Sequence, residues 1–315
     1  MSSHLTKNHQ GQINIVLRDH KKEKTGGASR VELTQTANYP YEIIDRHLEA
    51  FVGMERLREK VKEIYAQVLI SEKRRQMGLL GDRQVLHMMF KGNPGTGKTT
   101  VARALAKIFH EMELLEKGHF IEADRSDLVG EYIGHTAQKT KDLIKKALGG
   151  VLFIDEAYSL ARGGEKDFGK EAVDTIVKCM EDHHNEFIII LAGYPKEMER
   201  FTSLNPGLKS RFPISLDFPD YDSGELLEIA IDMVQDKQYR FSKQAEWKLR
   251  QHFQQLLKNK PYNFSNGRHV RNIVEDAVRK HAIRVVEHPA PNAELLMTIE
   301  SRDLQLEEKK EMPMI

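Results

Sequence analysis

Apolar positions along this chain follow two rhythms, and the order of those rhythms predicts an architecture. Residues 55–77 carry Leu57, Val61, Ile64 and Val68 on one face, which predicts an amphipathic helix. Short, mostly apolar runs follow at 85–90, 120–123, 151–155, 187–192 and 214–218, each with the length of a strand. Helical patterns separate most of them; after the first run come Val101, Leu105, Ile108, Phe109, Met112 and Leu115 at helical spacing. Strand and helix in alternation predict a parallel α/β sheet. The continuous run at 187–191 reads as a strand buried on both faces.

The rhythm changes after Asp220. Residues 223–235, 242–257 and 267–286 read as three helices, the first two opened by Ser223 and Ser242 as N-caps, with no long strand between them. This predicts a smaller, all-helical second domain. The expected organisation is a flexible N-terminal segment at 1–38, an α/β domain at 39–219, a helical lid domain at 220–290 and a C-terminal tail at 291–315. The first segment is polar, with one apolar run at 13–17 that suits a strand or a docking segment. The tail's charged stretch at 305–310 reads as solvated.

Composition narrows the classes. A chain of 315 residues holds one large domain or two modest ones, and a net charge of +1 makes no electrostatic case for nucleic acid. The single cysteine, Cys179, excludes an intramolecular disulfide, fits a reducing compartment and reads as structural. The N-terminus lacks the apolar core of a signal peptide, and no apolar run reaches the length of a membrane span. A cytoplasmic location is expected, with no membrane partner.

The chemistry starts at Gly92-Asn93-Pro94-Gly95-Thr96-Gly97-Lys98-Thr99, which fits Gly-x-x-x-x-Gly-Lys-[Ser/Thr] without a mismatch. Glycines let backbone N–H groups turn inward onto phosphate oxygens. Asn93, Pro94, Gly95, Thr96, Gly97, Lys98, Thr99 and Thr100 are therefore the expected nucleotide-binding residues. Lys98 can reach the β- and γ-phosphates, and the Thr99 hydroxyl can ligate Mg²⁺. A strand before the loop and a helix after it complete the arrangement, because the helix N-terminus adds its dipole to the anion site.

The run at 151–154 ends in Asp155-Glu156. A strand can carry both carboxylates to the sheet edge that holds the P-loop. Asp155 then holds Mg²⁺, directly or through water, and Glu156 polarises the attacking water. A core strand with a polar cap is the plainer alternative, and the intact P-loop argues against it. ATP and Mg²⁺ are the expected cofactors, and Lys98, Glu156 and an arginine the expected catalytic groups.

With these motifs in place, residues from about 40 to 290 resemble the AAA+ ATPases. The resemblance implies a P-loop α/β domain flanked by helices, a C-terminal helical lid, and assembly into a homo-oligomeric ring, expected as a hexamer. It also implies roles. Phe51-Val52-Gly53-Met54 resembles the loop that covers adenine, which assigns Val52 and Gly53 to the nucleotide. Tyr194, after Leu191-Ala192-Gly193, stands where relatives carry a polar sensor, often Thr-Asn; Asn205 competes for that role. The segment from Asn205 to Phe212 looks like the one that carries an arginine finger, which makes Arg211 the residue reaching a neighbour's γ-phosphate. Asn266-Gly267-Arg268 resembles the second sensor at the start of a lid helix, with Arg268 the candidate and Arg271 the alternative.

A narrower resemblance lies at Gly130-Glu131-Tyr132-Ile133-Gly134-His135-Thr136. Protein remodellers of this class carry an aromatic-aliphatic-Gly loop here that lines the ring's pore, so Tyr132, Ile133 and Gly134 are the candidate pore loop. With Asp-Glu-Ala-Tyr-Ser-Leu, Leu-Ala-Gly-Tyr and Asn-Pro-Gly-Leu-Lys-Ser-Arg-Phe, it resembles the red-type Rubisco activases and their sporulation-associated relatives. The 162–169 stretch is a candidate second pore loop or a plain surface loop.

Other constellations fail. His110-Glu111 has no second His four residues on, His183-His184 has no ligand partner at metal spacing, and no Gly-x-Ser-x-Gly elbow occurs. The expected function is an ATP-driven remodeller of an unidentified protein client. The alternatives are a nucleic-acid motor or loader, and an adaptor that assembles on ATP without remodelling.

Overall fold

The computed structural model describes residues 41–81, 84–132, 134–162, 168–183, 186–259 and 264–306. The 1–38 segment, Ile133, the middle of the 162–169 stretch, His184 and the charged end beyond 306 lie outside the described residues. Two helices lead in, α1 (Glu42–Leu48) and α2 (Glu55–Gln76). The α/β part then runs β1 (Met88–Gly92), α3 (Lys98–Glu111), β2 (Phe120–Ala123), α4 (Arg125–Leu128), α5 (His135–Ala147), β3 (Val151–Ile154), α6 (Gly169–Asp182), β4 (Ile188–Gly193), α7 (Pro195–Leu204), α8 (Pro206–Arg211) and β5 (Ile214–Phe218).

The five strands pair in parallel in the order β2-β3-β4-β1-β5. All their carboxyl ends lie along one edge, where open α/β sheets place their ligands. Strand alternation divides the core. Met88 and Phe90 pack with Leu105 and Phe109 of α3 and with Val61 and Ile64 of α2. Met89 packs on the opposite face, with Ile144 of α5, Ile176 of α6 and Phe201 of α7. Both faces are covered at the centre, which is why β3 and β4 read as continuous apolar runs, whereas the edge strands β2 and β5 keep Glu122, Ser215 and Asp217 exposed.

The first run begins at Val85 in sequence, but pairing begins at Met88. The reason is His87, which is buried: its Nδ1 accepts a hydrogen bond from Ile189 N at 3.0 Å, so a side chain supplies a partner that the ladder otherwise would. Cys179 is buried in α6, and burial pushes its thiol pKa up, as suits a packing residue.

The lid contains α9 (Ser223–Gln235), β6 (Arg240–Phe241), α10 (Lys243–Lys258), α11 (Asn266–Val286), α12 (Ala293–Met297) and β7 (Thr298–Ile299). Leu226, Val234, Leu249, Phe253, Val270 and Val274 make its separate core. Two expectations change here. Ser223 is not the N-cap of α9; Asp222 is, accepting from Gly224 N (2.7 Å) and Glu225 N (2.8 Å), while Glu225 accepts from Asp222 N (2.7 Å). A carboxylate serves two orphan N–H groups and also opposes the helix dipole, so it takes the cap position. Ser242 does cap α10, accepting from Ala245 N at 3.2 Å.

The second change concerns the stretch after 290. Residues 298–306, expected in the tail, belong to the lid and add a short strand pair to its helices. β7 pairs with β6, and Ile299 and Leu304 enter the lid core. Arg284 donates through Nε (2.9 Å) and Nη2 (2.8 Å) to the two carboxylate oxygens of Asp303, which is 2% exposed. Removing one partner of such a pair costs about 3–5 kcal/mol, because the other charge stays buried.

Candidate active site

The P-loop joins β1 to α3. Gly95 (φ 70°) and Gly97 (φ 88°) take left-handed backbone, which lets the loop turn its amides inward. The loop is held from within: Thr96, 1% exposed, donates through Oγ1 to Asn93 O at 2.8 Å. Lys98 donates from Nζ to Gly92 O (2.9 Å) and Asn93 O (2.8 Å), so its ammonium spans the mouth of the loop. Burial is the main cause that lowers its pKa to about 8. Asp155, Asp220 and Glu156 act in the opposite sense, and Arg268 adds to the lowering. These charges thus converge on one place, although they come from β1's loop, the end of β3, the end of β5 and the lid.

Asp155 follows β3, where its backbone N donates to Ala123 O at 2.9 Å. Its Oδ1 accepts from Glu156 N at 3.0 Å. Glu156 then adopts φ 45°, an uncommon conformation for a residue with a side chain. That turn ends the strand abruptly and leaves Glu156 exposed at the sheet edge. A cavity of about 610 Å³ opens there, lined by Asp124, Arg125, Ser126, Val129, Asp155, Glu156 and Ser159. It joins the two carboxylates to the root of the 130–134 loop. Tyr158, which sequence reasoning did not single out, lies beside them. Its hydroxyl is buried beside Glu156, and burial, then the charge of Glu156, raises its pKa.

The residues assigned to adenine lie at the junction of the two domains. Gly53 (φ 68°) is so close to the lid that a Cβ there would sit 2.1 Å from Glu225 Oε1. Met54 reaches the P-loop, its Cε 2.8 Å from where a Cβ on Gly97 would stand. Tyr221 donates to Thr96 O at 3.2 Å, and burial pushes its hydroxyl pKa up to about 12. Asp220 and Tyr221 also escaped sequence reasoning. The available signal was their position between the last sheet strand and the first lid helix, where a hinge must lie.

The sensor candidates separate. Tyr194 precedes α7 at the end of β4, its ring 5.8 Å from that of Tyr158, which packs against Gly193. Asn205 is engaged elsewhere, donating to Phe201 O at 3.0 Å between α7 and α8. Arg211 ends α8, pairs with Glu181 on α6 and donates to Gly207 O at 3.2 Å. Its hydrogen bonds among the described residues involve neither the P-loop nor the Asp155–Glu156 pair. Arg268 and Arg271 are both exposed on α11, and it is the charge of Arg268 that acts on Lys98.

Tyr132 is 66% exposed, its ring edge-on to His135 at 5.5 Å. The loop's root is firmly tied. Gly130 N donates to Thr136 Oγ1 and Thr140 Oγ1 to Leu128 O, both at 3.0 Å, and both threonines are fully buried. Gly134 takes φ 81° and starts α5.

A Mg²⁺–nucleotide fits this donor set. No cluster of three or more His, Cys, Asp or Glu side chains suited to a metal occurs among the described residues. Mg²⁺ instead characteristically keeps several waters and binds through one carboxylate plus substrate phosphates, which matches Asp155 with Thr99 at the start of α3.

Sequence comparison agrees with this architecture. Residues 88–220 match the family described as ATPase family associated with various cellular activities (AAA), and residues 222–314 match the AAA lid domain. The chain belongs to the AAA family and is an ATP hydrolase. It is 54% identical over 313 residues to stage V sporulation protein K of Bacillus subtilis, covering 97% of each chain. It is 43% identical over 240 residues to protein CfxQ of Xanthobacter flavus, covering 76% of this chain and 75% of that one. Over 266 residues it is 41% identical to the chloroplastic ribulose bisphosphate carboxylase/oxygenase activase of Cyanidioschyzon merolae, covering 84% and 90%. No helix among the described residues is long and apolar enough to cross a membrane.

Proposed function

We propose that this ATPase works as a homo-oligomeric ring, a hexamer, that remodels or partly threads a protein client in the cytoplasm. Its similarity to a sporulation protein and to a Rubisco activase supports a folded enzyme or a sporulation component as the client. The proposed division is an α/β domain up to residue 219 and a lid domain from 220 that reaches residue 306.

The observation that carries this reading is that Arg211, at the end of α8, is engaged by Glu181 and Gly207 rather than by its own P-loop. An arginine so held suits a site that a second copy brings to it. In the proposed ring, Asn93 to Thr100 cradle the phosphates, with Val52 and Gly53 against the base. Thr99 and Asp155 would hold Mg²⁺, which would supply positive charge beside the phosphates. Glu156 takes the proton of the attacking water, Tyr194 senses the γ-phosphate, Arg268 covers it from the lid and the neighbour's Arg211 stabilises the transition state. Tyr132, with Ile133 and Gly134, grips the client. An aromatic face holds whatever side chains arrive, without sequence-specific hydrogen bonds.

Arg211→Ala is expected to bind ATP normally and to lose turnover by roughly tenfold or more, as removal of an arginine finger does. Its ion pair is exposed enough that stability changes by less than about 1 kcal/mol. Mixing Arg211→Ala with Lys98→Ala protein should restore part of the turnover, since mixed rings pair an intact site with an intact finger. Normal hydrolysis by Arg211→Ala alone moves the finger elsewhere, with Arg200 the next candidate.

Tyr132→Ala is expected to keep its fold, ring and basal turnover while losing work on the client; Tyr132→Phe should retain much of it. A core tyrosine cut to alanine costs about 3–5 kcal/mol. Thermal melting therefore separates the two cases, and a large drop with parallel loss of turnover rejects the pore role. A pull-down from cells with Glu156→Gln should trap the client. Turnover stimulated by nucleic acid and lost on raising salt would favour a nucleic-acid motor instead.

A further inference from the structure

A buried side-chain amide sits where the lid meets the P-loop. Asn266 is fully buried at the start of α11, two residues before Arg268, and takes φ 42°. Its Nδ2 donates to Asp220 Oδ1 at 2.7 Å and to Pro94 O at 3.3 Å, and its Oδ1 accepts from Tyr221 N at 3.0 Å. Asp220 in turn accepts from Asn93 Nδ2 through both oxygens, at 2.9 and 3.0 Å. One residue later, Gly267 N donates to Gly95 O at 3.0 Å. The approach is so close that a Cβ on Gly95 would lie 2.2 Å from Ser265 O.

Four chain segments therefore meet on a single side chain: the P-loop, the end of β5, the hinge and the lid helix. Asn266 satisfies both of its polar atoms there, and Asp220 bridges it to the P-loop's own Asn93. The hydrogen bonds fix α11 in direction and in height above the loop. Arg268 lies on the first turn of that helix, so its placement follows from this contact. A displacement of an ångström in such a group is enough to weaken a phosphate contact greatly.

We infer that Asn266 is a positioning residue for ATP hydrolysis, seating the lid helix on the P-loop through Asp220 so that Arg268 meets the phosphates. The inference rests on the proposed role of Arg268. Asn is suited to the post because its short amide tolerates left-handed backbone and offers a donor and an acceptor together. Alanine would add backbone strain to the lost bonds. Aspartate keeps the size and the backbone tolerance, but turns the donor into an acceptor facing the Asp220 carboxylate.

The test is Asn266→Asp, alone, with Asp220→Asn and with Arg268→Ala, followed by ATP affinity, kcat and melting temperature on the full chain. Asn266→Asp and Arg268→Ala are each expected to change ATP affinity or kcat by about tenfold, with the same split between the two. Their combination should be no worse than Arg268→Ala, because Asn266 acts through it. Asp220→Asn should restore much of the loss in Asn266→Asp, since the amide then donates from the opposite side. Two results overturn the inference: independent losses that add in the double variant, or a fall in melting temperature with ATP affinity and kcat unchanged. Wild-type behaviour of Arg268→Ala removes the underlying role itself, whereas an impaired Arg268→Ala beside a normal Asn266→Asp removes the inference alone.

Discussion

Lys98→Ala is expected to abolish measurable ATP binding, with the dissociation constant raised by roughly a hundredfold or more. Charge-assisted hydrogen bonds contribute about 1.5–3 kcal/mol each, and Lys98 is placed to make such bonds to two phosphates. Its ammonium is already poised by Gly92 O and Asn93 O, so alanine removes the positive partner and leaves two carbonyls facing the site. Calorimetric titration measures the effect, and affinity within a few-fold of wild type rejects the assignment.

The same lysine predicts a pH dependence. With its pKa lowered to about 8, chiefly by burial, it is charged below that pH and increasingly neutral above it. Bound phosphate favours the charged form, so binding above pH 8 requires proton uptake. ATP affinity should be nearly flat, as far as Lys98 is concerned, below pH 8 and should fall as pH rises through it. Lys98→Arg stays charged throughout and should lose this fall, whatever its absolute affinity.

Glu156→Gln is expected to bind ATP as wild type does and to hydrolyse it roughly a hundredfold or more slowly, the scale of a positioned general base. The amide keeps the shape and the exposed position at the turn after β3, but cannot take a proton. Single-turnover hydrolysis beside equilibrium binding separates the two effects. Equal losses of ATP affinity in Glu156→Gln and Lys98→Ala would defeat the division of labour between cradle and base.

The strands and helices were legible because each repeats a local rule. Val61 and Ile64 mark one helix face, and the apolar run through Ile189 and Ile190 marks a strand covered on both sides. The P-loop was legible for a related reason: its glycines, Lys98 and Thr99 are contiguous, and the anion site they propose uses their own backbone. Boundaries and caps were less so. His87 replaces a ladder partner, and Asp222 outcompetes Ser223, through hydrogen bonds that spacing does not reveal.

The sequence alone determined the class of this protein: a P-loop sheet with Asp155-Glu156 on a second strand, followed by a helical lid. It did so because those features are periodic or contiguous. Only the tertiary structure decided what meets across the chain. It brought Arg268 of the lid into the field of Lys98 and closed Asp220, Asn93 and Asn266 into one network. It paired Arg211 with Glu181 and drew Ile299 and Leu304 into the lid core. Those contacts join residues up to 172 positions apart, as from Pro94 to Asn266. Polar side chains at such distances look alike in sequence, and only burial and a partner distinguish them.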